Sequence, residues 1–256
     1  MAGHSKWANI KHRKGAQDAK RGKAFSKVVK DIMVASRLGG PDPEANPRLR
    51  LAIAKAKSVS LPRDNLDRAI LKGAGLLEED NVEEVMYEAY GPGGVGILVE
   101  CLTDNRNRTA SEVRHAFSKR GYAIGVSGSA AHAFNQSGEV LVSAAGTTED
   151  SVMLAAMEHG GDDVQDSSDD DGNPLFQVIC EVSELESLRE GLENAGMTVE
   201  SYGLTWIPSV EIPVEGKDAE QLLALIEALE EVDDTRTVHA NYDISDEEME
   251  RIAGED

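Results

Sequence analysis

The residues best suited to chemistry in this sequence are the cations of its first 23 positions. Residues 1–23 hold seven lysines and arginines against one carboxylate, Asp18, and Trp7 stands among the cations. Lysine and arginine neutralise phosphates and release their counterions, and an exposed tryptophan can stack on a base. The segment is therefore interpreted as a nucleic-acid-binding arm, with contacts from Lys6, Trp7, Lys11, Arg13, Lys14, Lys20, Arg21 and Lys23.

A second basic cluster follows a predicted strand and opens a predicted helix. Arg106 and Arg108, with Arg114 further along, could hold phosphate together with the free N–H groups and the positive dipole end of that helix. The alternative is that these arginines pair with acidic neighbours, and the sequence does not decide between the two. Thr109 and Glu112 have the spacing of a capping box, which predicts Thr109 as the N-cap of the helix.

Other patterns in the sequence predict structure rather than chemistry. Gly91–Gly96 matches G-x-G-x-x-G, but these glycines precede a predicted strand, so they predict a turn and not a dinucleotide site. The acidic run 162–171 lacks the glutamate that a calcium loop needs, and His4 and His12 have no third ligand nearby. No nucleophile, base and acid stand in a catalytic arrangement. We therefore expect no metal, no cofactor and no enzymatic activity.

The charge of the chain is unevenly distributed. The net charge is −21, but residues 1–77 carry 17 Lys and Arg against 6 Asp and Glu, whereas residues 78–256 carry 9 against 41. An acidic body repels phosphate, so we expect nucleic acid to contact one end of the molecule. No apolar run is long enough to span a membrane, and the two cysteines lack metal or redox spacing. We therefore expect a cytoplasmic protein that does not bind membranes.

Apolar periodicity and helix-capping residues predict a small helical domain over 24–78. Asn46 followed by Pro47 predicts the start of a second helix, and Pro62 predicts the start of a third. The first helix is predicted by a row of apolar residues at helical spacing: Phe25, Val28, Val29, Ile32 and Met33.

Beyond the helical domain, strands and helices alternate twice in the order βαββαβ, which is the ferredoxin-like order. The outer copy places Val95–Leu102, Tyr122–Ile124 and Ser209–Val214 as strands of one sheet. The predicted fold class is α+β, with a small basic three-helix domain and two ferredoxin-like α/β modules, one inserted into the other. The predicted boundaries are a basic arm at 1–23, a helical domain at 24–78, a discontinuous α/β domain at 79–130 and 207–243, an inserted α/β domain at 131–206 and an acidic tail at 244–256.

Several motifs of the chain closely resemble the YebC family. The matching residues are Met1–Lys14 with Asp18, Lys20, Arg21 and Lys23–Lys27, then Tyr90–Gly94, and Asn107–Thr109 with Glu112, Val113 and Arg114. The resemblance covers essentially the whole chain, and it implies a helical domain and two α/β domains, one inserted in the other. One departure lies at Gly121–Gly125, where the family is expected to have a more glycine-rich run.

The same resemblance implies a function and a set of contact residues. Members of the family are described as transcriptional regulatory proteins that bind DNA. Mitochondrial relatives resemble translational activators, and bacterial ones are linked to ribosomes stalled on proline-rich stretches. Carried over residue by residue, the resemblance implies nucleic-acid contacts from Lys6, Trp7, Lys11, His12, Arg13 and Lys14, and also from Arg106, Arg108 and Arg114.

Our interpretation is a nucleic-acid-binding regulator of gene expression, in first form a DNA-binding transcriptional regulator. The alternative is a ribosome-associated translation factor that contacts rRNA or tRNA, since phosphate contacts look alike on DNA and RNA. An RNA-processing enzyme is disfavoured because no catalytic constellation stands out. We do not expect the third helix to read bases, because Asp64 and Asp67 on it oppose phosphate. The oligomeric state is left open, with a monomer favoured.

Overall fold

The structure is a computed structural model that describes residues 17–77, 82–168 and 173–254, with side chains described from Phe25 to Ala253 within those ranges. The chain folds into two compact units. The three-stranded unit comprises the described part of Ala16–His132 together with Val214–Ala240. The four-stranded unit comprises Ala133–Pro213 and the described residues from Asn241 onward.

Three helices open the three-stranded unit: α1 (Gln17–Gly39), α2 (Pro47–Ser58) and α3 (Arg63–Gly73). The predicted apolar row of α1 is confirmed, because Val28, Ile32 and Met33 are buried in one core with Leu49 of α2 and Ala69 of α3. Burying an apolar stripe of each helix is what stabilises such short helices in water.

Asn46 connects α1 to α2 as well as capping α2. Its side-chain oxygen accepts the N–H of Leu49 at 3.0 Å, and its amide nitrogen donates to the carbonyls of Ala35 and Gly40, both at 2.8 Å. Gly40 has φ of +88°, which suits glycine at a helix end. The predicted cap and the predicted end of α1 are therefore confirmed.

Helix α1 starts earlier than the sequence analysis predicts. It begins at Gln17, so residues 17–23 of the predicted arm are helical. Five of its seven residues, Gln17, Ala19, Lys20, Arg21 and Lys23, are good helix formers, but the segment lacks an apolar row. A prediction from apolar periodicity therefore misses it.

The three-stranded sheet is antiparallel, with β1 (Glu83–Tyr90), β2 (Gly96–Thr103) and β8 (Thr235–Ala240) in the order β1-β2-β8. Helices α4 (Arg106–Ser118) and α7 (Gly216–Glu230) also belong to this unit. The glycine motif makes the turn between β1 and β2, with positive φ at Gly93 and Gly94, as predicted. Strand β1 is missed by the sequence analysis because its glutamates mask the period of two.

A buried carboxylate holds the loop that follows α4. Glu88 accepts the backbone N–H groups of Gly128 at 2.6 Å and of Ala130 and Ala131 at 2.8 Å. Burial raises the pKa of Glu88, but the three hydrogen bonds outweigh it, so the pKa is lowered. The loop that contains the departure at Gly121–Gly125 is thus fixed from the sheet.

The four-stranded unit has the predicted βαββαβ order. Its elements are β3 (Phe134–Ser143), α5 (Glu149–Glu158), β4 (Gly161–Ser168), β5 (Pro174–Cys180), α6 (Leu185–Asn194) and β6 (Val199–Pro208). The antiparallel sheet has the order β4-β5-β3-β6, which is the ferredoxin-like arrangement. Its core includes Val140, Val152, Val178 and Leu188. The predicted α+β fold class is therefore confirmed.

Two strands assigned to the outer copy are corrected by the structure. Ser209–Val214 does not join the sheet of β2, since only β7 (Ile212–Pro213) is a strand and it pairs in parallel with β9 (Tyr242–Asp243). Pro208 and Pro213 lack the N–H groups that a longer ladder needs. In Tyr122–Ile124 only Ile124 forms a bridge, to Ala89, because Gly121 turns the chain at φ of +84°.

The segment predicted as an acidic tail contains a helix, α8 (Asp246–Gly254). Met249 and Ile252 are buried despite the surrounding carboxylates, and they are three positions apart on one helix face. The division of the chain into an arm, a helical domain, an α/β domain and an inserted domain stays a prediction.

Candidate nucleic-acid interface

The start of α4 is capped by Asn105, not by Thr109 as predicted. The Asn105 side chain accepts the N–H of Arg108 at 3.1 Å, and its own N–H donates to Thr103 Oγ1 at 2.8 Å. Thr109 lies one turn inside the helix, where it is buried and its hydroxyl donates to Asp234 at 2.6 Å. Asparagine and threonine are both good N-caps. Because the Thr109 hydroxyl is bonded to the buried carboxylate of Asp234, Asn105 is the residue that caps the helix.

Asp234 is the anionic centre of this region. Its side chain is 1 % exposed, and it accepts hydrogen bonds from Lys30, from Arg108 Nη2 at 2.7 Å and from Thr109. Burial raises the pKa of Asp234, but the hydrogen bonds from Lys30, Thr109 and Arg108 outweigh burial and hold the pKa at about 2. The carboxylate therefore stays ionised at neutral pH and fixes α1, α4 and the start of β8 together.

Arg108 is consequently engaged within the protein. Its Nη2 also donates to Asp104 at 2.7 Å, and hydrogen bonds to Asp234 and Asp104 raise the pKa of its guanidinium. A phosphate would have to displace two carboxylates to bind this group. The sequence left open whether the arginines pair with acidic neighbours, and for Arg108 the structure shows that pairing.

Arg106 and Arg114 are placed differently from Arg108. Arg106 is largely exposed and reaches Glu83 at 3.4 Å, which is a weak surface pair. Arg114 is exposed on α4 and has no hydrogen-bond or ion-pair partner among the residues that the structure describes. Burial raises the pKa of Tyr87, and both guanidinium groups oppose that rise, so both lie near the Tyr87 side chain.

Arg114 belongs to an exposed polar row on α4. Helical spacing aligns it with Asn107, Ser111 and Ser118, all of them exposed. Amides, hydroxyls and guanidinium groups are the side chains that contact phosphate and sugar oxygens. Glu112 lies outside the row, so the row carries positive charge without a carboxylate.

Most predicted contact residues of the arm precede Gln17, the first residue that the structure describes. Lys6, Trp7, Lys11, His12, Arg13 and Lys14 lie outside the described residues. Lys20, Arg21 and Lys23 lie in α1, and their side chains also lie outside the described part of the chain.

Several other cations of the three-stranded unit have acidic partners. Arg236 of β8 bonds Asp31 of α1 at 3.0 Å, and Arg63 reaches Asp67 within α3 at 3.8 Å. Lys57 and Arg68 are exposed and have no ion-pair partner among the described residues. The positive charge available to a ligand is therefore smaller than the number of lysines and arginines in the sequence indicates.

The key residue that sequence reasoning misses is Asp234. It follows Asp233 in an acidic run, and the two look alike in the sequence. Only the pairing of β2 with β8, which brings Thr103 and the start of α4 beside it, distinguishes the buried carboxylate from its exposed neighbour.

The described residues include no group of three or more His, Cys, Asp or Glu side chains that could hold a metal ion. Within the same residues, no helix is both long and apolar enough to cross a membrane. Cys101 and Cys180 are buried, free thiols, and burial raises the pKa of each to about 11. Both thiols are therefore protonated at neutral pH.

Two family models match the chain and together span most of it. The model described as the TACO1/YebC protein N-terminal domain matches residues 5–76, and the one described as the TACO1/YebC second and third domain matches residues 82–242. The chain belongs to the TACO1/YebC family. The resemblance inferred from the sequence motifs is confirmed.

Relatives in the TACO1/YebC family are similar over their full length. A "probable transcriptional regulatory protein" of Syntrophotalea carbinolica is 51 % identical over 254 residues, covering 99 % of this chain and 100 % of the relative. A protein of the same name from Pseudomonas putida is 50 % identical over 252 residues, covering 98 % of this chain and 100 % of the relative. The crystal structure of a conserved hypothetical protein from Aquifex aeolicus is 44 % identical, with a TM-score of 0.83 over 93 % of this chain and 96 % of that one.

Proposed function

We propose that this protein is a nucleic-acid-binding regulator of gene expression that acts in the cytoplasm as a DNA-binding transcriptional regulator and not as an enzyme. The observation that carries the proposal is the exposed row on α4, where Arg114 has no acidic partner among the described residues. Arg106, the first residue of the same helix, is also largely exposed and pairs only weakly with Glu83. Groups of this kind bind phosphate at a helix surface.

Two further observations support the proposal. The cations concentrate at one end of the chain, with 17 Lys and Arg against 6 Asp and Glu in residues 1–77, which favours phosphate contact there. Relatives with about half of their residues identical are named "probable transcriptional regulatory protein". The arm residues Lys11, Arg13 and Lys14 are proposed as its main phosphate contacts.

Within this proposal, Arg106 and Arg114 contact nucleic acid, whereas Arg108 acts through Asp234 by positioning the start of α4. The two roles make different predictions for the salt dependence of binding. Each phosphate contact contributes about 0.9 to the slope of log K against log salt on duplex DNA. Only residues that contact phosphate change that slope.

The test is fluorescence anisotropy of a labelled 20-base-pair duplex with the full chain at several salt concentrations. Arg114→Ala is expected to lower the slope by about 0.9, and Lys11→Ala, Arg13→Ala and Lys14→Ala together by about 2–3. The control, Arg108→Ala, is expected to lower thermal stability and leave the slope of the folded protein unchanged. Unchanged slopes in both phosphate-contact variants would contradict the proposal.

A second candidate function, a translation factor that binds rRNA or tRNA, is favoured by the surface of α3. Asp64 and Asp67 are exposed on it, and Arg63 is drawn to Asp67. Such a helix is poorly suited to the major groove of DNA, because its carboxylates would lie close to the phosphates that border the groove and be repelled by them. Contacts limited to the backbone and to unpaired bases suit RNA.

Trp7→Ala separates the two candidates. Stacking on an unpaired base contributes about 1–3 kcal/mol, and duplex DNA offers no such base. Weaker binding to a tRNA-like hairpin with unchanged binding to duplex DNA would select the translation factor. Equal effects on both would leave the DNA-binding regulator as the better account.

A further inference from the structure

Helix α5 of the four-stranded unit exposes two large apolar side chains. Val152 and Ala156 face the core, whereas Leu154 and Met157 are each 69 % exposed. Positions three apart lie side by side on one helix face. Scattered single apolar residues at a surface need no explanation, but an adjacent pair on an otherwise well-packed helix does.

Carboxylates border this pair at both ends. Asp150 lies four residues before Leu154 on the same face, and Glu158 follows Met157 directly; both carboxylates are exposed. We call Asp150, Leu154, Met157 and Glu158 the acidic-apolar face. From its first to its last residue it spans about 12 Å along the helix axis.

The C-terminal end of α5 adds further negative charge. Its last turn contains no basic residue, so the helix dipole there is uncompensated by a side chain of the helix. The stem of Glu184 lies against Gly160, just beyond the end of the helix. This end of the acidic-apolar face therefore favours a cation.

The whole unit has the same sign of charge. Residues 133–213 hold 17 Asp and Glu and one basic residue, Arg189. That guanidinium is already occupied, with ion pairs to Glu186, Glu190 and Glu193 at 3.1, 3.1 and 2.6 Å. Nucleic acid is repelled from such a surface, and a cationic partner is attracted to it.

We propose that the acidic-apolar face of α5 docks a cationic amphipathic helix of a partner protein. The apolar pair packs against an apolar stripe of that helix, and Lys or Arg residues flanking the stripe meet Asp150 at one end and Glu158 with Glu184 at the other. The charge sign selects a basic protein segment over nucleic acid, and the apolar pair selects an amphipathic helix over an unstructured basic tail.

The probe is a labelled synthetic peptide of leucine and lysine with helical amphipathic spacing, and the control peptide has the same composition in scrambled order. With the full-length protein, the amphipathic peptide is expected to bind about tenfold or more tightly than the scrambled one, because only it aligns an apolar stripe. Leu154→Gln with Met157→Gln is expected to abolish that preference. Asp150→Asn with Glu158→Gln is expected to weaken the binding of both peptides.

The matched control is Leu204→Gln, which changes a half-exposed leucine on β6 of the same unit. It is expected to leave peptide binding unchanged. All variants change exposed side chains, and a thermal melt followed by circular dichroism checks that each one folds; Leu154→Ala with Met157→Ala replaces the glutamine pair if that pair unfolds.

Two results would overturn the proposal. In the first, the glutamine pair retains the preference for the amphipathic peptide, or Leu204→Gln loses it equally, so that the attraction is charge alone. In the second, the wild-type protein sediments as a dimer that the glutamine pair dissociates, which would assign this face to a second copy of the chain.

Discussion

The two units of the molecule contain ion-pair centres of opposite construction. In the three-stranded unit, a carboxylate with 1 % side-chain exposure, Asp234, lies at the centre, and Lys30 and Arg108 reach it from the surface. In the four-stranded unit the cation is central, since Arg189 lies over the Tyr202 ring at 5.2 Å, and three exposed or half-exposed glutamates surround it.

The difference between the two centres is desolvation. A buried carboxylate depends on its partners, because an unpaired charge in the interior is far less stable than one in water. A cation paired with solvated glutamates loses little when a pair breaks, because water and salt replace it. The two ion pairs of Asp234 are therefore expected to stabilise the fold more than the three of Arg189, and Asp234 also fixes the position of a candidate binding helix.

The largest effect is expected from Asp234→Ala. Removing the carboxylate takes away the one buried acceptor that Lys30, Arg108 and the Thr109 hydroxyl share, and the free energy of unfolding should fall by about 3 kcal/mol. Urea denaturation followed by circular dichroism measures the change. Asp104→Ala is the matched control, since it removes the exposed carboxylate of the same arginine, and it should lower the free energy by less than about 1 kcal/mol. Equal losses would show that burial does not set the strength of this centre.

A pH titration examines the same carboxylate without removing it. Its pKa is lowered from 3.8 to about 2 on folding, so its stabilisation is complete above about pH 4 and is lost as the pH falls towards 2. The difference in unfolding free energy between wild type and Asp234→Asn should therefore shrink by about 2 kcal/mol over that range. A difference that stays constant from pH 6 to pH 2 would contradict the lowered pKa.

Local signals in the sequence predict much of the fold. Asn46 and Pro47 predict the start of α2, and the apolar row from Val28 to Met33 predicts the buried face of α1, because capping residues and apolar spacing are local properties. Strand β1 is not predicted, and β7 is predicted only as part of a longer strand, Ser209–Val214, that the sequence analysis assigns to the wrong sheet. Their pairing depends on partners distant in the chain, and glutamates or prolines conceal the period of two.

The candidate site is less predictable than the fold. Sequence alone places Arg106, Arg108 and Arg114 in one cluster of equal members. In the structure the three arginines differ, because Arg108 is bound by Asp234, a carboxylate more than 120 positions away in the chain, whereas Arg106 and Arg114 are not. No local pattern reveals such a partner, and the choice of Asn105 over Thr109 as the cap follows from the same distant contact.

Glu88 is a third charged centre, in which neutral backbone N–H groups replace cations. Glu88→Gln turns one acceptor oxygen into a donor that faces the N–H groups of the loop, so it should destabilise the loop by about 1–2 kcal/mol. Hydrogen exchange of Gly128, Ala130 and Ala131 measures the effect, which should exceed that at the core amides of β2. Faster exchange throughout the unit would instead indicate global unfolding.

The smallest effect is expected from Arg189→Met. Methionine keeps the apolar stem that packs on Tyr202, so the change removes three ion pairs and the cation–π contact, together about 1 kcal/mol or less in low salt. In 1 M salt the Debye length falls to about 3 Å, and this difference from wild type should fade, whereas the effect of Asp234→Ala persists because its carboxylate is shielded from counterions. Urea denaturation of both variants at low and high salt provides the measurement. A loss for Arg189→Met that is as large as that for Asp234→Ala and independent of salt would mean that the four-stranded unit relies on its central cation as the other unit relies on its central carboxylate.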